Sequence, residues 1–181
     1  MHNISKIYYF IDEFDRDEIQ KLNKNIVLIY RNYRENYNIK IIKKIRNFCF
    51  KQKREFYLSN NIKIALNLGL DGIYVPSFNR LCNFKNLNTK KKFKIIGSAH
   101  NIPQIIKKEN QGCSAIFVAP LFKTEKSNYF LDVVRFNLIT NNSKKKIVAL
   151  GGINSKNFKK IRLTKSYSFA SISWIKKNRP K

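Results

Sequence analysis

The sequence predicts a closed (β/α)8 TIM barrel of near-minimal length, with some helices shortened. Three observations carry that prediction. Eight short β-branched or aromatic runs recur along the chain, segments of helical periodicity lie between most of them, and 181 residues suit one domain spanning residues 1–181. Apolar residues at 43% and aromatics at 13% are spread over the whole length, enough to bury a core that a disordered chain of equal charge could not form.

The strand runs lie at residues 7–11, 26–30, 55–58, 72–75, 94–96, 115–119, 147–150 and 167–172. Helical periodicity is clearest at residues 38–50, where Ile41, Ile42, Ile45, Phe48 and Cys49 line one face and Lys43, Lys44 and Arg46 the other. Gly69 closes a helix over residues 61–68, Asn101 and Pro103 open one that ends before Gly112, and Asn154-Ser155 cap a segment running to Leu163. The link over residues 79–92 and the tail after Trp174 look abbreviated, so their helices are expected to be single turns or missing.

The formal charge of +26, from 37 Lys+Arg against 11 Asp+Glu, ordinarily points to a polyanionic partner. Here the bias extends to Asn, Ile, Tyr and Phe, as in residues 83–94 and 137–146, the residue set that AT-rich codons encode. Lysine is scattered over every predicted surface instead of forming one stripe with interleaved aromatics, so nucleic acid is an unfavoured partner resting on charge alone. Cys49, Cys82 and Cys113 are odd in number and far apart, which suggests neither a disulfide framework nor a thiolate zinc site. They read as buried thiols of a reducing cytosol. The apolar stretch before Asp12 is too brief for a signal-peptide core, and nothing approaches the ~20 apolar residues of a membrane helix, so the expectation is a soluble cytoplasmic protein with no membrane partner.

A barrel of this kind places its active site on the loops that follow the strands. The polar residues just past each run are therefore the informative ones: Asp12, Arg31, Ser59 and Asn60, Ser77 and Asn79, Ser98 and His100, Thr124 and Lys126, Gly151 and Gly152, and Ser173. Arg31 and Lys126 can meet phosphate oxygens. Backbone N–H groups at Gly151-Gly152 and at a helix start after Ile172-Ser173 can form an anion cradle at strands seven and eight. The bland alternative for the glycine pair is a tight turn that needs positive φ, and for the two cations a solvated surface. Ser98 also reads as a small strand-end residue, and Asp12 as either a carboxylate of the barrel mouth or a helix cap.

Four blocks carry a family resemblance. They are Leu70-Asp71-Gly72-Ile73, Ile95-Ile96-Gly97-Ser98-Ala99-His100-Asn101, Ala119-Pro120-Leu121-Phe122-Lys123-Thr124-Glu125-Lys126 and Val148-Ala149-Leu150-Gly151-Gly152-Ile153. In order and spacing they resemble the thiamine phosphate synthases and their thiazole tautomerase relatives over nearly the whole chain. The resemblance implies a (β/α) barrel that joins a hydroxymethylpyrimidine pyrophosphate to a thiazole phosphate with release of pyrophosphate. It implies Arg31, Ser98 and Lys126 as the catalytic set holding pyrophosphate, and Thr124, Gly152, Ile172 and Ser173, beside Gly151, as the thiazole phosphate contacts.

The departures from the family pattern are as specific as the matches. A second-strand lysine of the synthases is replaced by Tyr33, and the two magnesium-binding aspartates align with Asn60 and Asn79. Asn brings no charge, so Mg²⁺ is expected to bind weakly if at all. Pro120 stands where the tautomerases carry their histidine, which argues against tautomerisation. His100 at a strand end is counted among the substrate-binding residues, and it is open to two readings, a general acid or base and a hydrogen-bonded structural residue. Three readings of function follow: a synthase-like transferase with an eroded metal site, a catalytically silent barrel that binds a phosphorylated ligand, and a basic protein that binds nucleic acid.

Overall fold

Branched and aromatic side chains crowd a helix turn but pack well on a pleated sheet, and eight runs of them in this chain form strands. The computed structural model describes residues 6–33, 37–80, 84, 92–125, 127–172 and 174–175. The strands are β1 (Ile7–Ile11), β2 (Ile26–Tyr30), β3 (Phe56–Ser59), β4 (Gly72–Val75), β5 (Lys94–Ala99), β6 (Ala115–Val118), β7 (Lys146–Leu150) and β8 (Ser168–Ser171). Each pairs in parallel with the next, and β8 closes onto β1 with Ile7 opposite Phe169, so the sheet is a closed eight-stranded barrel.

Side chains alternate across the barrel wall with the period of two that a strand imposes. Tyr8 and Phe10 of β1 share one cluster with Val27, Ile29, Tyr57, Tyr74, Ile96, Ala115, Phe117, Val148 and Ala170, to which all eight strands contribute, so this cluster is the barrel interior. It is filled, not a channel. Phe10, Tyr74 and Phe117 meet edge to face with ring centroids 5.1 to 6.0 Å apart, and Tyr8 meets Phe117 at 4.9 Å. The alternate residues, such as Tyr9, Ile11 and Leu28, pack outward against the helices.

The helices are α1 (Arg16–Gln20), α2 (Ile39–Lys51), α3 (Ile62–Asn67), α4 (Ile102–Asn110) and α5 (Asp132–Thr140), followed by a 3₁₀ helix at Phe158–Leu163. Asn38, Asn61 and Asn101 cap α2, α3 and α4, each accepting from the amide three residues on. Gly69 takes φ +60 just beyond α3, as a helix-stopping glycine should. Two expectations need correction. The segment opened by Asn154 is a turn before it is a helix: Asn154 Oδ1 accepts from the amides of Lys156 and Asn157, and Asn157 reaches back to the Gly152 carbonyl, so regular structure begins only at Phe158. The cap of α1 is Asp15, which accepts from the Glu18 amide, and not Asp12. Cys82, most of the link over residues 79–92 and most of the tail after Trp174 lie outside the described residues.

The N-terminal end of the barrel is a stability face. Glu55 pairs with Lys6 and Lys94 and accepts from the Tyr57 hydroxyl at 3.0 Å. Arg54, only 4% exposed, donates to the carbonyls of Leu22, Asn23 and Ile26 and so ties β3 to the turn before β2. The cavity at this end, lined by Arg46, Cys49, Lys53, Arg54 and Asp71, is larger than the cavity at the β1 rim. It nevertheless opens away from the loops that carry the sequence-predicted site, and the Arg54 Nη groups within it are taken up by backbone carbonyls.

Candidate active site at the barrel mouth

The floor of the mouth is aromatic. The Arg31 guanidinium lies 4.6 Å from the Phe10 ring centroid, a cation–π contact worth ~0.5 to 2 kcal/mol, and its backbone amide donates to Ile11 O at 2.8 Å. Arg31 therefore stands over the barrel core and is not a free surface cation. Tyr74, which sequence reasoning passed over, points up from the floor. Burial pushes its hydroxyl up to about 12, and the neighbouring Ser98 side chain and the charge of Arg31 work against that rise. Arg31 and Ser98 both act on the Tyr74 hydroxyl. Inward alternation along β4 was the signal that could have found Tyr74, since residues 72 and 74 share a face.

The β2, β3 and β4 loops are joined by neutral groups. The Tyr33 hydroxyl hydrogen-bonds Ser59 Oγ at 2.9 Å, the Tyr37 hydroxyl donates to Ser59 O at 3.0 Å, and the Tyr33 and Phe78 rings meet edge to face at 5.5 Å. Asn60, at φ +57, is in the left-handed region that asparagine tolerates better than most residues. Its Oδ1 accepts from Asn79 Nδ2 at 2.7 Å. Behind this loop Lys108 of α4, 1% exposed, donates from Nζ to Pro76 O, Asn79 O and Gln111 Oε1 at 2.7, 2.9 and 2.9 Å. A lysine on the buried face beside Ile105 was the signal that could have identified it.

Magnesium does not fit the aligned pair. It prefers oxygen donors with at least one carboxylate, whereas this pair offers two neutral amides bonded to each other. Among the described residues no group of three His, Cys, Asp or Glu could hold a metal ion.

On the opposite side the loops after β6 and β7 lie against each other. Leu121 and Phe122 amides donate to Leu150 O and Gly151 O at 2.8 and 3.1 Å. A Cβ at Gly152, whose φ is +69, would lie 2.4 Å from the carbonyl oxygens of Phe122 and Lys123. Glycine is therefore required here by backbone approach as well as by φ. Thr124 is half-buried in a small bridge with Ser127. His100 is exposed, and its Nδ1 lies 2.7 Å from Ala119 O, which can only accept, so Nδ1 carries the proton and the ring braces the sixth loop. Ile172 is at the β1 side of the rim, in a cavity it shares with Asp12, Glu13, Asp15 and Glu18. Lys126 and Ser173 lie outside the described residues.

Comparison with known proteins agrees with this architecture. The family model described as Thiamine monophosphate synthase matches residues 20–175. A thiamine-phosphate synthase of Pelagibacter ubique is 30% identical over 146 residues, 76% of this chain and 67% of that protein. One of Prochlorococcus marinus is 28% identical over 137 residues, 71% of this chain but only 38% of that protein, so the chain spans well under half the length of that relative. Among solved structures, the thiamine phosphate pyrophosphorylase of Pyrococcus furiosus superposes with a TM-score of 0.72 at 17% identity, covering 97% of this chain and 89% of that one. A citrate synthase, SbnG, reaches 0.68 at 11% identity over 93% and 86%, so this fold hosts other chemistry and superposition alone does not assign a reaction. It is the family match across residues 20–175, joined to a closed eight-stranded barrel, that places the chain in the thiamine monophosphate synthase family.

Proposed function

We propose that this chain is a transferase that joins a hydroxymethylpyrimidine pyrophosphate to a thiazole phosphate. The bond between the pyrimidine methylene carbon and the pyrophosphate oxygen breaks, the oxygen keeps the electron pair, and the thiazole nitrogen supplies the pair for the new carbon–nitrogen bond. Such a reaction asks the protein mainly to orient two ligands and to stabilise a departing anion. The single observation that carries this reading is the Arg31 guanidinium held 4.6 Å from the Phe10 ring centroid, a fixed cation over the aromatic floor.

In this proposal Arg31 and Ser98, with Lys126, receive the developing pyrophosphate charge. Thr124, Gly151, Gly152, Ile172 and Ser173 receive the thiazole phosphate, and His100 holds the sixth loop in place. Residues 1–181 act as one unit in the cytoplasm, and the +26 charge follows from composition without a nucleic-acid partner. No helix among the described residues is long and apolar enough to cross a membrane.

A second reading is favoured by one specific observation, the hydrogen-bonded Asn60–Asn79 pair where the family pattern has aspartates. It is a silent barrel of the same family that binds the thiazole phosphate without turning it over. Incubating the purified chain with both substrates and measuring thiamine phosphate separates the two. Product above background supports the transferase, whereas saturable binding of the thiazole phosphate with no product selects the silent barrel. Absence of both overturns the assignment.

A further inference from the structure

We infer that the Asn60–Asn79 side-chain pair is a neutral latch that joins the β3 and β4 loops directly, so that no divalent cation is resident between these two loops. The choice of site rests on the transferase reading, but the inference concerns the cation and not turnover.

Three observations support it independently of one another. The first is geometric: Asn79 Nδ2 donates to Asn60 Oδ1 at 2.7 Å, so the donor side of one amide already occupies the acceptor of the other. Seating a cation between them would require Asn79 to turn its oxygen inward, break that bond and bring two carbonyl oxygens together.

The second is electrostatic. Carboxylates supply the charge that holds a small hard cation, and the pair supplies none. The charged group that fixes this loop is instead a buried ammonium, Lys108, whose Nζ donates to Asn79 O at 2.9 Å and Pro76 O at 2.7 Å. A positive charge so close to Asn79 repels a divalent ion from the same place.

The third is that the surrounding loops are already held without an ion. Asn60 N donates to Tyr74 O at 2.8 Å, Tyr33 and Tyr37 both bond to Ser59, and Tyr33 packs on Phe78. A metal bridge would gather the β3 and β4 loops; the amide pair does so here, with the β2 loop fastened by tyrosines.

The test titrates Mn²⁺, a paramagnetic probe for this class of oxygen site, into the full-length chain without substrate and follows the free ion by electron paramagnetic resonance. The wild-type chain is expected to leave the Mn²⁺ signal undiminished and its melting temperature unmoved. The double variant Asn60→Asp with Asn79→Asp is expected to melt lower without metal, because two carboxylates then face each other, and to gain several °C with Mn²⁺ as binding is linked to folding. Should the double variant not fold, Asn60→Asp alone carries the same expectation at smaller amplitude. Stoichiometric Mn²⁺ uptake by the wild type that disappears in Asn79→Ala would overturn the inference. A negative coupling assay counts against the transferase alone, since Mn²⁺ uptake is read without substrates.

Discussion

The two halves of the barrel mouth are held together by different means. On the β6–β7 side the backbone itself makes the contact: Leu121 and Phe122 amides reach the carbonyls of Leu150 and Gly151, and Gly152 fits only because it has no side chain. On the β2–β4 side the contacts are made by side chains, through the asparagine pair and the tyrosines around Ser59. A backbone contact tolerates almost no change at its glycine, whereas a side-chain contact can be exchanged for another of similar reach.

The largest effect is expected at Gly152. Gly152→Ala forces a Cβ to within 2.4 Å of two carbonyl oxygens at φ +69 and should cost ~3 kcal/mol, read as a lower urea midpoint. Gly69→Ala, at φ +60 with nothing within 4 Å of the added carbon, should cost only ~1 kcal/mol. Equal losses at the two sites would mean that φ alone, and not loop approach, demands glycine at 152.

Next in size is Arg31→Met. If that guanidinium receives the leaving-group charge, kcat for coupling should fall ~100-fold or more, equivalent to about 2.7 kcal/mol, while stability drops by only the cation–π contact with Phe10. A rate within a few-fold of wild type would remove Arg31 from the reaction. Breaking the latch with Asn79→Ala should cost ~1 kcal/mol, the ordinary net worth of one hydrogen bond, measured by the same urea titration.

The smallest effect lies at the opposite end of the barrel and depends on pH. Burial opposes ionisation of Glu55, but Lys6, Lys94 and the Tyr57 hydroxyl outweigh it and hold the carboxyl below its ordinary value. A depressed folded value means that its contribution to stability is complete above the unfolded value of ~4.3 and is lost as pH falls through the lower folded value. Glu55→Gln should therefore flatten the acid limb of the stability profile and leave coupling activity unchanged at neutral pH.

Much of the fold was legible in the chain. All eight strands fall within two or three residues of the apolar runs, because a parallel barrel buries both faces of each strand and leaves an unbroken hydrophobic signal. Helices with a sharp polar boundary were legible too, as at Asn38, Asn61 and Asn101. Two helices were not. The first, α1, has only five residues, and α5 exposes Val134 and Leu138 at 70% and 69%, which blurs the amphipathic stripe. At the site, strand-end position singles out Arg31 and Ser98 as candidates; Tyr74 and Lys108 carried a signal in their inward or buried-face positions, while Phe78 became visible only through its contact with Tyr33.

Sequence alone determined the strand–helix alternation, the barrel it implies, and the identity of the neutral residues at positions 33, 60 and 79, since each follows from residue type and local period. Tertiary structure alone decided that two asparagines 19 positions apart bond to each other, that a buried lysine fastens their loop from behind, and that Gly152 is required by the carbonyls of a neighbouring loop. Those facts depend on the distance between segments far apart in the chain, and such distances are set only when the barrel closes.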